Sequence, residues 1–124
     1  MDVTVTEQPR DEAVVLALRG QLDIDAAARL QRTVDDLLDR QANRIVVDLT
    51  PLQFCDSTGL SAFVVAERAC AESGGWLRLA APNAFLTRVL HVVGLLDRLP
   101  VYRTVAAALA GDDAQRVSPP PQPD

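Results

Sequence analysis

The chain has 124 residues, 48% of them hydrophobic and 23% charged, and a formal net charge of −5. These are globular proportions, near ~45–50% apolar and ~25% charged, and the length fits one domain. The acidic balance argues against a nucleic-acid backbone as the main partner, and no apolar run reaches the ~18 residues of a membrane span. No basic-then-apolar leader opens the chain, so it is expected to be soluble, unexported and cytoplasmic. Two cysteines (Cys55 and Cys70) and one histidine (His91) cannot form a CxxC pair, a Cys/His zinc cluster or a two-His metal site. Both thiols are expected in the core, and neither metal nor cofactor is expected.

Val3 and Val5 alternate with Thr4 and Thr6, which predicts a short strand. A turn at 8–12 separates it from a second strand over 13–19, with Val14, Leu16 and Leu18 on one face, so the pair reads as a hairpin. Asp25 is the expected N-cap of a helix from Ala26 to about Arg40, in which Ala27, Leu30, Val34, Leu37 and Gln41 keep helical spacing. A strand follows over 45–50 and is ended by Pro51. A second helix is predicted from Ser57 to Glu72, closing at Gly74-Gly75. Trp76–Ala80 reads as a strand, Asn83 as the cap of a helix ending at Gly94, and Pro100–Tyr102 as a brief last strand. Thr104 is expected to cap a final helix through Leu109.

The resulting order is ββαβαβαβα. Strand–helix–strand crossovers make their strands parallel and are almost always right-handed. Val14/Leu16/Leu18, Ile45/Val47/Leu49 and Leu77/Leu79 form one apolar face, whereas Arg19, Asp48, Thr50 and Arg78 occupy the other. The expected fold is therefore α/β: a mixed sheet of about five strands, an N-terminal hairpin with the rest parallel, and about four helices mainly on one face. The ordered domain is read as 1–110. Residues 111–124 are polar and proline-rich, a composition expected to stay disordered.

Parallel connectivity brings the loops 20–25 and 51–57 together at the carboxyl ends of the strands, where open α/β sheets present functional groups. That edge carries Asp23, Asp25, Asp56, Ser57 and Thr58, with Asn83 expected close by. Nucleophile chemistry finds little support there. Position 55 is Cys rather than the Gly of a G-x-S-x-G elbow, and His91 is expected to be a half-buried helix residue. The spacing of Asp56-Ser57-Thr58-Gly59 also fails an aspartic-protease loop, and no catalysis is assigned. Two uses of the segment stay open. Asp56 or Ser57 can cap the helix, worth ~1 kcal/mol. Alternatively, Ser57 can accept a phosphoryl group, because a helix N-terminus favours an anion.

Gly20-Gln21-Leu22-Asp23, Ala26-Ala27-x-x-Leu30, Ile45 to Thr50, Phe54-Cys55-Asp56-Ser57-Thr58-Gly59-Leu60, Gly74-Gly75-x-Leu77-x-Leu79 and Arg88-x-Leu90-x-x-x-Gly94-Leu95 together resemble the STAS domain. Within that domain the pattern is most similar to bacterial anti-sigma factor antagonists, over about 3–110. The resemblance implies a transcription regulator that binds an anti-sigma factor when unphosphorylated and so frees a sigma factor. The anti-sigma factor would double as the serine kinase that modifies Ser57, with Thr58 as the runner-up acceptor, and a serine phosphatase would reverse the step. Asp23, Asp25, Asp56, Ser57, Thr58 and Gly59 would form the partner-binding edge. The chain departs from the family pattern at Gln21 (usually Glu), Ala26 (commonly Thr) and Val93 (often Ser). A reading from another class keeps the fold without the switch, as a scaffold subunit of a signalling or lipid-transport complex. Without lysine or a Gly-rich phosphate cradle, a nucleotide or other small-molecule ligand is disfavoured.

Overall fold

Alternating apolar residues build the central strands of the computed structural model, which describes residues 4–10 and 12–117. In chain order the elements are β1 (Thr4–Arg10), β2 (Ala13–Leu22), α1 (Ile24–Asp39), β3 (Arg44–Asp48), β4 (Leu52–Cys55) and α2 (Ser57–Glu72). There follow β5 (Trp76–Ala80), α3 (Ala84–Val92), β6 (Val101–Tyr102) and α4 (Val105–Ala110), with 3-10 turns at Leu95–Asp97 and Asp113–Gln115. The sheet order is β1-β2-β3-β5-β6. β1 runs antiparallel to β2, from Thr4 opposite Arg19 to Arg10 opposite Ala13. The β2–β3, β3–β5 and β5–β6 pairs are parallel.

The 51–57 stretch departs from the expected loop. It forms β4, which lies off the main path and pairs in parallel with the end of β2. Along β4 the side chains run buried, exposed, exposed, buried, a pattern with no period of two to betray a strand. β2 likewise continues to Leu22 instead of stopping at Arg19. Gly20 sits at φ +99 beside a register shift, so β2 pairs with β3 through Ala17 and with β4 from Gly20 onward. That backbone conformation suits glycine, and the bulge re-aims the strand.

The sheet is covered unequally. One core joins Leu16, Leu18, Ile45, Val47, Leu77 and Leu79 to the inner faces of α1, α2 and α3. On the other side a smaller cluster packs Ala107 and Ala108 of α4 against Val15, Val46, Ala80 and Tyr102. The buried stripe of α1 is Ala26, Ala27, Leu30, Val34 and Leu37. Gln41, expected on that stripe, lies past the helix instead, exposed and at φ +65.

The expected disorder of 111–124 is corrected for its first half. Asp113–Gln115 form a 3-10 turn and Arg116 bridges to Tyr102 in antiparallel fashion. Val117 supplies an apolar side chain that packs on the main core, which an averaged composition hides beneath the neighbouring prolines. Residues 118–124 lie outside the described residues. Among those described, no helix is long and apolar enough to cross a membrane.

Candidate functional site

Three helices begin at the carboxyl edge of the sheet, and each starts on a side chain that accepts a first-turn N–H. The Asp23 carboxylate accepts from the Ala26 amide at 3.0 Å, Asp56 from Gly59 at 2.9 Å and Asn83 from Leu86 at 2.8 Å. Such caps are worth ~1 kcal/mol each. The cap of α1 is therefore Asp23, not Asp25, which stands exposed in the first turn. β2 runs three residues longer than its apolar alternation suggests, and this moves the helix start forward. The strand ends are also tied to one another. Gln21 and Leu22 pair with Phe54 and Cys55, the Asp56 amide donates to the Leu22 carbonyl at 3.3 Å, and the Asn83 side-chain amide donates to the Leu52 carbonyl at 3.2 Å.

Within Asp56-Ser57-Thr58-Gly59 the residues face different ways. The capping duty, which either Asp56 or Ser57 can perform, falls to Asp56. Ser57 is the first residue of α2 and is exposed; among the described residues its hydroxyl makes no hydrogen bond. Thr58 is exposed beside it. Gly59 turns inward and is buried, where an added Cβ would lie 2.8 Å from the Leu22 carbonyl oxygen and 2.7 Å from the Cys55 sulfur. Gly59 is thus a packing position, buried where its neighbours Ser57 and Thr58 are exposed.

Cys55 lies in the core, as expected, and Cys70 does too; both are free. Burial, with a further push from the Asp56 carboxylate, raises the Cys55 thiol to about 12, and burial followed by Glu67 raises Cys70 to about 11. Such thiols are poor nucleophiles at neutral pH. His91 is half-buried on α3 and lines a different groove from Ser57, beside Thr87, Arg88 and Val92. Ser57 therefore has no imidazole in its own groove. No group of three or more His, Cys, Asp or Glu side chains among the described residues is placed to hold a metal ion.

On β4 and at the starts of α1 and α3, the structure adds exposed apolar surface that the motif alone does not indicate. Phe54 on β4 and Phe85 on α3 stack with ring centres 6.0 Å apart while staying 43% and 49% exposed. Ile24 opens α1 at 66% exposure. Ser57 also heads a groove of about 390 Å³ lined by Ser61, Val64, Val65, Val93 and Arg98. Exposed aromatic pairs beside polar groups are what a docking partner buries. Phe54 belongs to the Phe54–Leu60 motif, but its exposure beside buried Cys55 is set by the pairing of β4 with β2. Phe85 and Arg98 reach the site only through the tertiary fold.

The family model described as "Mlab, STAS domain" matches residues 5–102. The chain is 26% identical over 110 residues to the anti-sigma F factor antagonist of Paenibacillus polymyxa, covering 88% of this chain and 94% of that one. It is 24% identical over 115 residues to the anti-sigma-F factor antagonist RsfB of Mycobacterium tuberculosis, covering 93% of each. The crystal structure of an anti-sigma factor antagonist from Mycobacterium paratuberculosis superposes with a TM-score of 0.79 at 23% identity, over 88% of this chain and 92% of that one.

Proposed function

The chain belongs to the STAS domain family, and from that premise we propose that it is an anti-sigma factor antagonist switched by phosphorylation at Ser57. The unphosphorylated protein docks an anti-sigma factor on the edge formed by Asp23, Asp25, Asp56, Ser57 and Thr58, with Phe54, Phe85 and Ile24 as the apolar part of the contact. The docked anti-sigma factor releases its sigma factor. The same partner acts as the serine kinase, Thr58 is the secondary acceptor, and a serine phosphatase resets the switch. The protein itself performs no catalysis.

One observation carries this reading: Ser57 has a free, exposed hydroxyl at a helix start whose capping is already done by Asp56. A phosphate there costs the fold no cap, and the N-terminal end of α2 favours the added negative charge. The partner meets a different situation. A surface that closed over a neutral hydroxyl now faces ≈ −1.5 to −2 charges next to the Asp56 carboxylate. An unpaired, desolvated charge costs ~2–5 kcal/mol, so affinity falls about thirty- to several-thousand-fold.

Phosphopeptide mapping of the protein purified from its own cells tests the acceptor. Phosphate is expected at Ser57 and should vanish in Ser57→Ala; phosphate confined to other positions overturns the assignment. Ser57→Asp should keep the wild-type far-UV spectrum yet lose anti-sigma factor binding, and wild-type affinity in that variant would remove the electrostatic mechanism. The unswitched scaffold reading predicts the reverse, an anti-sigma-independent protein indifferent to both substitutions.

A further inference from the structure

The outer edge of the sheet, beyond β6, is covered by the chain's own C-terminal segment. After α4 the backbone turns at Gly111, and the Asp112 carboxylate accepts from the Ala114 amide at 3.1 Å. Residues 115–117 then run antiparallel to β6. The Arg103 amide donates to the Gln115 carbonyl at 2.9 Å and the Val117 amide to the Val101 carbonyl at 2.8 Å, with Arg116 opposite Tyr102. The Arg116 guanidinium lies 5.5 Å from the centre of the Tyr102 ring. Among the described residues its Nε is buried without a hydrogen-bond partner. The family match ends at residue 102, so this strap lies outside the matched region.

An extended segment hydrogen-bonded along a sheet edge is the geometry of β-strand addition. We propose that residues 112–117 fill, in cis, a peptide-accepting groove on the β6 edge, and that the strap of a second copy of this chain occupies the same groove in trans. The groove is selective for that sequence. The Val101 carbonyl and the Arg103 amide read an antiparallel backbone, the Tyr102 ring takes a guanidinium on its face, and the core behind takes the valine. Apart from the Asp112 amide, which donates to the Ala107 carbonyl at the hinge, the closed strap is held on the β6 edge by two backbone hydrogen bonds, one ring contact and a half-buried Val117. Few contacts make such a segment a local opening unit. A strap that opens about the Gly111 turn leaves behind an edge that fits another copy's strap equally well, the arrangement of a domain swap.

The test uses the full chain carrying Val117→Pro, which removes the amide that donates to Val101 and so unlatches the strap. The probe is a fluorescent, end-blocked peptide of residues 112–117, Asp-Asp-Ala-Gln-Arg-Val. Val117→Pro should bind it saturably and at least tenfold more tightly than wild type, whose edge is already filled. A peptide with alanine in place of its arginine should bind about three- to tenfold more weakly. A folded Val117→Pro chain that ignores the peptide, or equal binding by both proteins, overturns the proposal. Should Val117→Pro fail to fold, amide exchange of the wild-type protein decides. The Arg103 and Val117 amides should exchange more slowly than in a free peptide but faster than Leu79, whose amide donates to the Pro100 carbonyl. Exchange of all three at one common rate, or of the strap pair at the unprotected rate, refutes a strap that opens locally.

Discussion

Replacing Gly59 with alanine would set a Cβ 2.7 Å from the Cys55 sulfur, 2.8 Å from the Leu22 carbonyl oxygen and 2.9 Å from Leu22 Cδ2. The leucine methyl can swing aside. The carbonyl cannot, because it accepts from the Asp56 amide, and the sulfur is enclosed in the core. The first turn of α2 must therefore move outward by a few tenths of an ångström. Alanine gains ~1 kcal/mol over glycine in a helix interior, whereas overpacking costs ~1–3 kcal/mol. With backbone on one side and a buried sulfur on the other, the cost falls at the upper end of that range. Gly59→Ala should be destabilised by a net ~1–2 kcal/mol, or roughly 4–8 °C in Tm for a domain of this size. Thermal unfolding followed by far-UV circular dichroism measures it, with the exposed neighbour Thr58→Ala as a control expected within ~0.5 kcal/mol of wild type. If Gly59→Ala melts at or above the wild-type temperature, the close approach of α2 to β2 is not the constraint described.

Asp56→Ala should cost ~1 kcal/mol through the lost cap, while Asp56→Asn keeps an acceptor oxygen and should cost only a few tenths. Equal losses in urea unfolding would show that charge rather than capping sets the role of this residue. The raised thiols of Cys55 and Cys70, at about 12 and about 11 against an ordinary 9.0, predict a pH effect with a definite sign. The folded protein keeps both protons where the unfolded chain releases them. Their contribution is therefore complete below pH 9 and is lost as pH climbs toward 11 and 12, at about 1.4 kcal/mol per pH unit per thiol. The double variant Cys55→Ala/Cys70→Ala should show a shallower fall in stability between pH 9.5 and 10.5, and an unchanged slope would refute the assignment. Phe85→Ala removes half of an exposed aromatic stack. It should leave Tm nearly unchanged while weakening anti-sigma factor binding about tenfold or more by calorimetry; unchanged affinity would place the docking surface elsewhere.

Strong local signals carry the main elements. Val14/Leu16/Leu18 and Ile45/Val47/Leu49 mark the face under α1, α2 and α3, while Val15 and Val46 between them pack under α4 on the other, and Asn83 and Thr104 cap the helices they precede. Reading fails where tertiary pairing decides. Leu52–Cys55 is a strand only because the glycine bulge at position 20 turns the end of β2 toward it. The same extension makes Asp23 rather than Asp25 the helix cap, two oxygens that sequence alone cannot rank. Asp112–Val117 sits in a polar, proline-adjacent stretch, and its order depends on Tyr102 and the open edge of β6, neither of which composition registers. At the site, Ser57 and Asp56 are legible from the motif, but the Phe54–Phe85 stack joins residues more than thirty positions apart.

The order of residues in Asp56-Ser57-Thr58-Gly59 separates holding the helix from facing outward. A helix advances about 100° per residue, so a segment that enters on a cap cannot point every following side chain the same way. Asp56 spends its carboxylate on the Gly59 amide, and Gly59 and Leu60 turn into the sheet. Ser57 and Thr58 must then face out, and so does Ser61, whose hydroxyl donates to the Ser57 carbonyl one turn along. Gly59 is confined by backbone at Leu22, whereas Ser57 and Thr58 are exposed. On the proposed function, stability and recognition would thus fall to adjacent positions, and a phosphate added at exposed Ser57 would leave the packing at Gly59 undisturbed.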